Sequence, residues 1–245
     1  MASALSPASL RRIRELRTPK GREAAGAFIV EGEKAVRDLA ADGFPFEEVY
    51  ATDAWAGPAS VRVSEAQMRR ISHFPNPSPV LAIGRIRREP LEPGALSRGF
   101  TLALDHVQDP GNLGTIIRIA DWFAIQRVVL SPGCADPFSP KAIQASMASF
   151  ARVKIHFADL TDALARAGAP VLGCEAAGES INGMAPVASA VVVIGSEGRG
   201  LSPEVRALLS RSVAIPRLGK AESLNAAVAA GIVCARLRQA VSAAP

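Results

Sequence analysis

The sequence contains few of the residues that mark disulfide-rich or metal-binding proteins. Its 245 residues include three histidines and three cysteines, and no C-x-x-C or Cys/His ligand spacing occurs. We therefore expect neither a disulfide framework nor a metal site. The three cysteines are predicted to be reduced, buried side chains of a cytoplasmic protein: Cys134, Cys174 and Cys234.

Long apolar runs are also missing. The longest, such as 190–194 and 226–230, fall far short of the ~20 residues that span a bilayer. Hydrophobic residues make up 49% of the chain and charged residues 21%, which excludes a disordered protein. The length predicts a soluble protein with one large domain or two modest ones.

The net charge of +5 is concentrated near the N-terminus. Residues 1–88 carry 14 basic and 10 acidic side chains, whereas residues 89–245 carry 14 and 13. Judged by charge alone, these basic side chains are best explained as a solvated helix face and a linker. Clustered cations also attract phosphate backbones, which is the alternative. The cations that are candidates to bind a nucleic-acid backbone are Arg11, Arg12, Arg14, Arg17, Lys20, Arg22, Arg85, Arg87 and Arg88.

A segment rich in proline and glycine, RREPLEPGALSRG at 87–99, is typical of an interdomain linker. The part before it is predicted to be a small α/β domain. One side of a predicted short helix carries Leu10, Ile13 and Leu16, and a helix at 33–41 is predicted to bury Ala35, Val36, Leu39 and Ala40. A capping box of Ser64 and Gln67 opens a third helix, which ends at Ile71. Strands are predicted at 28–30, 48–51, 61–63 and 80–83.

After this segment, apolar runs alternate with helical patterns. That order predicts an α/β fold with a parallel sheet covered by helices on both faces. The predicted strands are 101–104, 128–130, 153–157, 171–173, 191–194 and 213–215, and the strongest helical pattern joins Leu224, Val228, Gly231, Ile232 and Ala235. The predicted domains are therefore 1–88 and 100–245, joined by a linker at 89–99.

Polar residues follow the first strand of this sheet, at the end where ligands bind in such folds. Asn112 lies between two glycines and could simply be a turn residue. Arg118 lies off the apolar stripe of the next helix. On spacing alone, a surface ion pair with Asp121, worth about 0.3 kcal/mol, is the favoured explanation of Arg118.

Two further loops follow the fifth and sixth strands. The first, GSEGRG at 195–200, could be a structural turn or a ligand loop, and its order is not that of a dinucleotide fingerprint. The second leads into the last helix. Ser223 could be the N-cap of that helix, whereas Asn225 in its first turn is expected to cap or bind something.

Three segments taken together resemble the ordered motifs of the SpoU (TrmH) family of RNA ribose 2′-O-methyltransferases, of the SPOUT class. They are DPGNLGTIIRIA at 109–120, GSEGRGLS at 195–202 and IPRLGKAESLNAAVAAGI at 215–232. The N-terminal part is similar to that family's L30e-like substrate-binding domain through KGRE at 20–23 and FIVEG at 28–32.

The resemblance implies a C-terminal domain with a deep trefoil knot, an exception to the usual unknotted topology. It implies S-adenosylmethionine as cofactor, held through the backbones of Gly195, Ile215 and Leu224, with Gly198 and Gly219 in the same loops. It also implies a homodimer whose active site is completed across the subunit interface.

The three motifs contain no histidine or cysteine, so the candidate catalytic residues are those that the resemblance also selects: Asn112, Arg118, Glu197, Ser223 and Asn225. A guanidinium rarely loses its proton. We therefore expect Arg118 to orient the ribose hydroxyl and the adjacent phosphate, while solvent or phosphate takes the proton. Asn112 and Glu197 would hold Arg118 and the loops in register, and Ser223 and Asn225 would position the loop and the ribose.

The sequence departs from the family pattern at two places that bear on the substrate. Arg217 stands where an apolar residue is common, and SHFPNPSP at 72–79 replaces the usual segment before the 80–83 strand. Ribosomal RNA, 23S in particular, is the expected substrate because L30e-like domains suit folded RNA. Transfer RNA and a catalytically inactive RNA-binding module are the alternatives; a nicotinamide oxidoreductase lacks its glycine fingerprint here.

Overall fold

A computed structural model describes residues 5–238 of the chain. These residues form two compact units. The first extends to Arg87 and also includes Asp136–Ala151; the second contains Arg88–Ala135 and the part from Arg152 onward. The sequence assigned 136–151 to the second domain, and here the structure differs.

Contacts with the first strand explain why 136–151 joins the first unit. The Phe28 ring lies 5.1 Å from Phe138 and 5.2 Å from Phe150, measured between ring centroids. Asp136 pairs with Arg22 at 2.7 Å. These partners are more than a hundred positions apart in sequence, so no local pattern indicates the contact.

The first unit is a small α/β domain, as predicted. The elements are α1 Pro7–Glu15, α2 Pro19–Ala25, β1 Ala27–Glu31, α3 Glu33–Ala41, β2 Phe46–Ala51, β3 Val61–Arg62, α4 Glu65–Ile71, β4 Val80–Arg85 and, from the 136–151 segment, α6 Pro140–Ser146. The sheet has the order β1-β4-β2-β3, and β4 runs antiparallel to both β1 and β2.

Local sequence signals set the ends of these helices. Ser64 and Gln67 form the predicted capping box of α4. Helix α3 has its predicted bounds, but Ala40 is exposed, because a nine-residue helix buries one narrow stripe around Val36 and Leu39. Helix α2 was missed, although Thr18 caps it and the left-handed Gly26 ends it.

The second unit contains a six-stranded, entirely parallel sheet with flanking helices, which confirms the predicted α/β class. The elements are β5 Phe100–Asp105, α5 Pro110–Trp122, β6 Arg127–Leu130, β7 Lys154–Phe157, α7 Leu160–Ala165, β8 Val171–Ser180, β9 Ala190–Gly195, α8 Pro203–Arg206, β10 Arg211–Ala214 and α9 Ala226–Arg238. The strand order is β10-β8-β9-β5-β6-β7.

The order of the strands determines where a ligand would bind. The central strands β5 and β9 are fully buried along most of their length, which their continuous apolar runs predict. From β5 the sheet continues through β6 and β7 on one side, whereas the later strands β9, β8 and β10 lie on the other side. The direction of the strand order therefore changes between β5 and β9, and their carboxyl ends form a crevice. Within residues 5–238, no helix is long and apolar enough to cross a membrane.

Candidate active site

Three side chains from three separate segments of the chain form one hydrogen-bonded cluster at this edge of the sheet. We call Asn112, Glu197 and Asn225 the polar triangle. Asn112 Nδ2 donates to Glu197 Oε1 at 2.5 Å, and Asn225 Nδ2 donates to the same Oε1 at 3.0 Å and to Asn112 Oδ1 at 2.8 Å. The structure therefore brings three of the five predicted catalytic residues into direct contact.

Local structure positions each corner of the polar triangle. Asp109 caps α5 by accepting from the backbone N–H of Asn112 at 2.9 Å, which places Asn112 in the first helical turn. Glu197 lies in a tight turn that is closed by two hydrogen bonds between Ser196 and Gly200, at 3.1 and 2.9 Å. The Glu197 carboxylate also accepts from the N–H of Ala226 at 3.3 Å, at the start of α9.

The third corner corrects a sequence-based expectation. Helix α9 begins at Ala226, and Asn225, rather than Ser223, caps it: Asn225 Oδ1 accepts from the N–H groups of Ala227 and Val228 at 3.0 and 3.2 Å. Asn225 therefore uses its oxygen for the helix and its amide nitrogen for the polar triangle. Ser223 is exposed, and no hydrogen bond of its side chain occurs within residues 5–238.

Arg118 stands apart from the polar triangle. It is exposed on α5 and makes no hydrogen bond or ion pair in the part of the chain that the structure describes. The expected pair with Asp121 is not formed, because Asp121 bonds to Arg152 at 2.8 Å. Asn112 and Arg118 lie about 9 Å apart along the helix axis and about 120° around it, so Asn112 does not hold Arg118. That part of the hypothesis was wrong.

A cleft of about 700 Å³ adjoins the polar triangle, within the size range of small-molecule sites. Four of the five predicted cofactor-binding residues line it: Gly195, Ile215, Gly219 and Leu224. Gly198 does not. The opposite wall, 174–177 on β8, was not predicted, because the apolar run of this strand ends at Gly173 whereas the strand itself continues to Ser180.

Two of the charged residues of the cleft, Glu175 and Arg206, neutralise each other. Glu175 accepts from Arg206 Nε at 2.6 Å and from Ser212 Oγ at 2.7 Å. Burial raises the pKa of the Cys174 thiol to about 12, so this cleft residue stays protonated near neutral pH. The arrangement therefore offers hydrogen bonding and orientation, and no thiolate nucleophile.

Asp105 is a polar residue near the site that sequence analysis did not select. Its side chain is buried at the end of β5, where Oδ2 accepts from the N–H of Ser202 at 2.7 Å and Oδ1 hydrogen-bonds His106 Nδ1 at 2.6 Å. This carboxylate ties the end of β5 to the loop that carries Glu197. A carboxylate directly after a buried strand is the signal that could have identified it.

The predicted RNA-binding residues have different environments. Arg22 is buried, and its guanidinium bonds to Asp136 and to the carbonyls of Leu16 and Arg17, so it is unavailable to phosphate. Others are exposed or half-buried but engaged within the protein: Arg11 with Glu15, Arg12 with Glu47 and Glu48, Arg17 with two carbonyls, Arg85 with Glu47, and Arg88 with the Phe157 ring.

Three of the nine cations are exposed without a hydrogen bond or ion pair among residues 5–238: Arg14, Lys20 and Arg87. Together with the exposed but weakly paired Arg11 and Arg85, they are the cations that remain accessible to a phosphate backbone. Charge counts along the sequence could not make this distinction, because the carboxylates that neutralise Arg12 and Arg22 come from distant segments.

The parallel sheet, the crevice at its strand ends and the polar triangle define an α/β protein with a cleft of small-molecule size beside a cluster of oriented amides and a carboxylate. The chain belongs to the SpoU rRNA Methylase family, whose model matches residues 99–235. The model of the MRM3-like substrate binding domain matches residues 8–82. These matches confirm the family that the three motifs indicated.

Relatives cover nearly the whole chain. The Bacillus subtilis 23S rRNA (guanosine(2553)-2′-O)-methyltransferase RlmP is 29% identical over 92% of this chain and 94% of its own. A solved TrmH-family structure from Porphyromonas gingivalis is 38% identical, with a TM-score of 0.86 over 97% and 99% of the two chains. An AdoMet-bound rRNA methyltransferase from Sinorhizobium meliloti is 30% identical, with a TM-score of 0.84 over 98% and 97%.

Proposed function

We propose that the protein transfers a methyl group from S-adenosylmethionine to a ribose 2′-hydroxyl of 23S ribosomal RNA. The observation that carries this proposal is the polar triangle beside the 700 Å³ cleft, which unites the three family motifs in one site. Family membership and the similarity to rRNA 2′-O-methyltransferases support the same reaction.

The cleft suits this cofactor in size and chemistry. Ile215 and Leu224 supply apolar surface for an adenosine, and the backbones of Gly195 and Gly219 line the same space. We assign cofactor binding to these four residues and not to Gly198. The cofactor's sulfonium supplies an activated methyl group. A C–O bond forms as the C–S bond breaks, giving S-adenosylhomocysteine, the 2′-O-methyl ribose and a proton.

The protein's part in this displacement is orientation. Arg118 has donors free of internal partners within residues 5–238, so it serves to hold the hydroxyl and a neighbouring phosphate, while solvent or phosphate receives the proton. The polar triangle holds the three loops in register. Asn225 and Ser223 then place the ribose next to the methyl group.

The first unit is proposed to be an L30e-like domain that docks RNA through its accessible cations, and its match to a substrate-binding domain supports this. The second unit is proposed to be a trefoil knot. After the edge strand β10, most of the segment 215–224 lines the cleft together with parts of β8 and β9, and α9 then packs against α5. Such a path past the 195–202 loop is what threading requires.

A homodimer is also proposed, with the active site completed across its interface. Helices α5 and α9 pack together and leave an apolar face exposed, formed by Trp122 on α5 with Val228 and Ile232 on α9. Trp122 is 83% exposed. Arg118 lies one turn before Trp122 on the same helix, so a partner that covered this face would approach the free guanidinium.

The first experiment changes Arg118 to Ala. Transfer of tritium from labelled S-adenosylmethionine to ribosomal RNA should fall about 100-fold, since orientation of the attacking hydroxyl is lost, while cofactor affinity is kept. The matched control is Arg166→Ala, another exposed arginine of the second unit with no internal partner within residues 5–238. Normal methylation by the Arg118→Ala protein would overturn the role assigned to Arg118.

Two further measurements test whether the protein is an enzyme and which RNA it modifies. If the wild type labels no RNA at all, the protein is a binding module and not an enzyme. Mapping of 2′-O-methyl positions in cells with and without the gene identifies the substrate. A mark lost from 23S rRNA supports the proposal, and a mark lost only from tRNA contradicts the choice of RNA.

A further inference from the structure

One cation in the cleft lacks a counter-ion among the described residues. Of the arginines that line the cleft, Arg206 is neutralised by Glu175 at 2.6 Å. Arg217 forms no ion pair within residues 5–238; its one hydrogen bond there goes to the carbonyl of Ala221 at 3.4 Å. The cleft therefore contains a guanidinium whose donors are nearly all free.

A carboxylate with the complementary property lies in the same segment. Glu222 also lines the cleft, is exposed, and has no ion-pair or hydrogen-bond partner among the residues that the structure describes. The third carboxylate of the cleft, Glu197, is already bonded in the polar triangle. Arg217 thus supplies a free positive charge and Glu222 a free negative charge. The two residues are five positions apart on the same loop, which lines the cleft.

Free charges of both signs fit a zwitterion. The cofactor of the proposed function carries an α-carboxylate and an α-ammonium at its amino-acid end, whereas its adenosine is uncharged. A guanidinium binds a carboxylate with two parallel hydrogen bonds, which an apolar side chain at this position could not supply.

We propose that Arg217 binds the α-carboxylate of the cofactor's amino-acid tail, with Glu222 facing the α-ammonium. This assignment rests on the proposed function, since it requires that the cleft hold S-adenosylmethionine. It makes Arg217, which departs from the apolar residue common in the family pattern, a determinant of cofactor affinity in this chain. Docking of an RNA phosphate on Arg217 is the competing outcome.

The test uses the full-length protein without RNA and two ligands that differ in the tail. S-adenosylhomocysteine carries the amino-acid end, and 5′-methylthioadenosine lacks it. Calorimetry should show that Arg217→Met weakens S-adenosylhomocysteine about tenfold, as expected when a charge-assisted hydrogen bond is lost, and leaves 5′-methylthioadenosine within about twofold. Arg217→Lys should recover part of the affinity.

The matched control is Lys220→Met. Lys220 is an exposed cation of the same loop that does not line the cleft, so this variant removes the same charge without the contact. Unchanged affinity of Arg217→Met for both ligands would overturn the inference, as would equal loss for both ligands or equal weakening by Lys220→Met. If the wild type binds neither ligand, the proposed function itself fails, and the inference with it.

Discussion

Arginine side chains in this protein show how strongly a residue's role depends on its surroundings. Arg22 is 2% exposed and uses its donors on Asp136 and on backbone carbonyls, so it stabilises the first unit. Arg118 is exposed and has no internal partner within residues 5–238. The two side chains have the same chemistry; burial and the position of carboxylates make one structural and leave the other available to a substrate.

His73 is a partly buried titratable side chain whose pKa makes stability depend on pH. It lies in the 72–79 segment, where the neighbouring Glu31 carboxylate organises the loop by accepting from the N–H groups of His73 and Ser78. Burial lowers the pKa of His73 to about 4, with smaller contributions from the charges of Arg17 and Arg22. The ring is therefore neutral in the folded protein at neutral pH.

The unfolded chain takes up a proton on His73 near pH 6.5. Stability that depends on the neutral ring is complete above that pH and is lost as the pH falls towards 4. From pH 7 to pH 5, the free energy of unfolding should fall by about 1–2 kcal/mol from this residue. Urea denaturation of wild type and His73→Gln measures it; the variant should show a flatter pH dependence, and an unchanged slope would contradict the assignment.

Among the secondary-structure elements, the loop after β9 has a glycine, Gly195, whose Cα lies against the backbone of the same turn. A Cβ built on Gly195 would lie 2.3 Å from the carbonyl carbon of Gly200, on backbone that cannot move aside without opening the turn. Gly198 in the same loop has open space around its Cα. The sequence shows three similar glycines here, and only the fold of the turn distinguishes them.

We therefore expect Gly195→Ala to destabilise the protein by about 1–3 kcal/mol and to weaken S-adenosylhomocysteine binding, because the turn that carries Glu197 must open. Gly198→Ala should change stability by less than about 0.5 kcal/mol. Chemical denaturation and calorimetry on the two variants measure these effects. Equal behaviour of the two proteins would show that the close contact does not control the loop.

Elements with a local signal were predicted well. The capping box of α4, the bounds of α3 and the apolar runs of β5 and β9 all depend on neighbouring residues, and the structure confirms them. Helix α6 was not identified, although Ser139 caps it and Pro140 opens it. Helix α6 packs on β1 of the first unit. Its apolar residues therefore do not fit the alternation of strands and helices that was used to predict the second unit.

At the scale of the whole molecule, the exposed apolar face of α5 and α9 is expected to mediate dimer formation. Glutamate at Ile232 would place a charge on this face, so Ile232→Glu should convert a dimer to a monomer in analytical ultracentrifugation. Methyl transfer should fall with it if the active site is completed by the partner subunit. The control is Phe157→Glu, because Phe157 is 40% exposed on the edge strand β7.

A wild-type protein that sediments as a monomer would contradict the proposed dimer. A dimer that survives Ile232→Glu would place the interface elsewhere. A monomeric Ile232→Glu protein with full activity would show that one chain contains the complete site.

The family, the parallel α/β class and the identity of the loops that meet at the site could be predicted from the sequence, because they follow from ordered motifs and from periodicities of neighbouring residues. The fold was needed to show that Asn225 caps α9 while bonding Asn112 and Glu197, that Arg22 is buried, that 136–151 joins the first unit and that Arg217 lacks a counter-ion within residues 5–238. Each of these depends on partners brought together from distant parts of the chain, whose identity no local pattern contains.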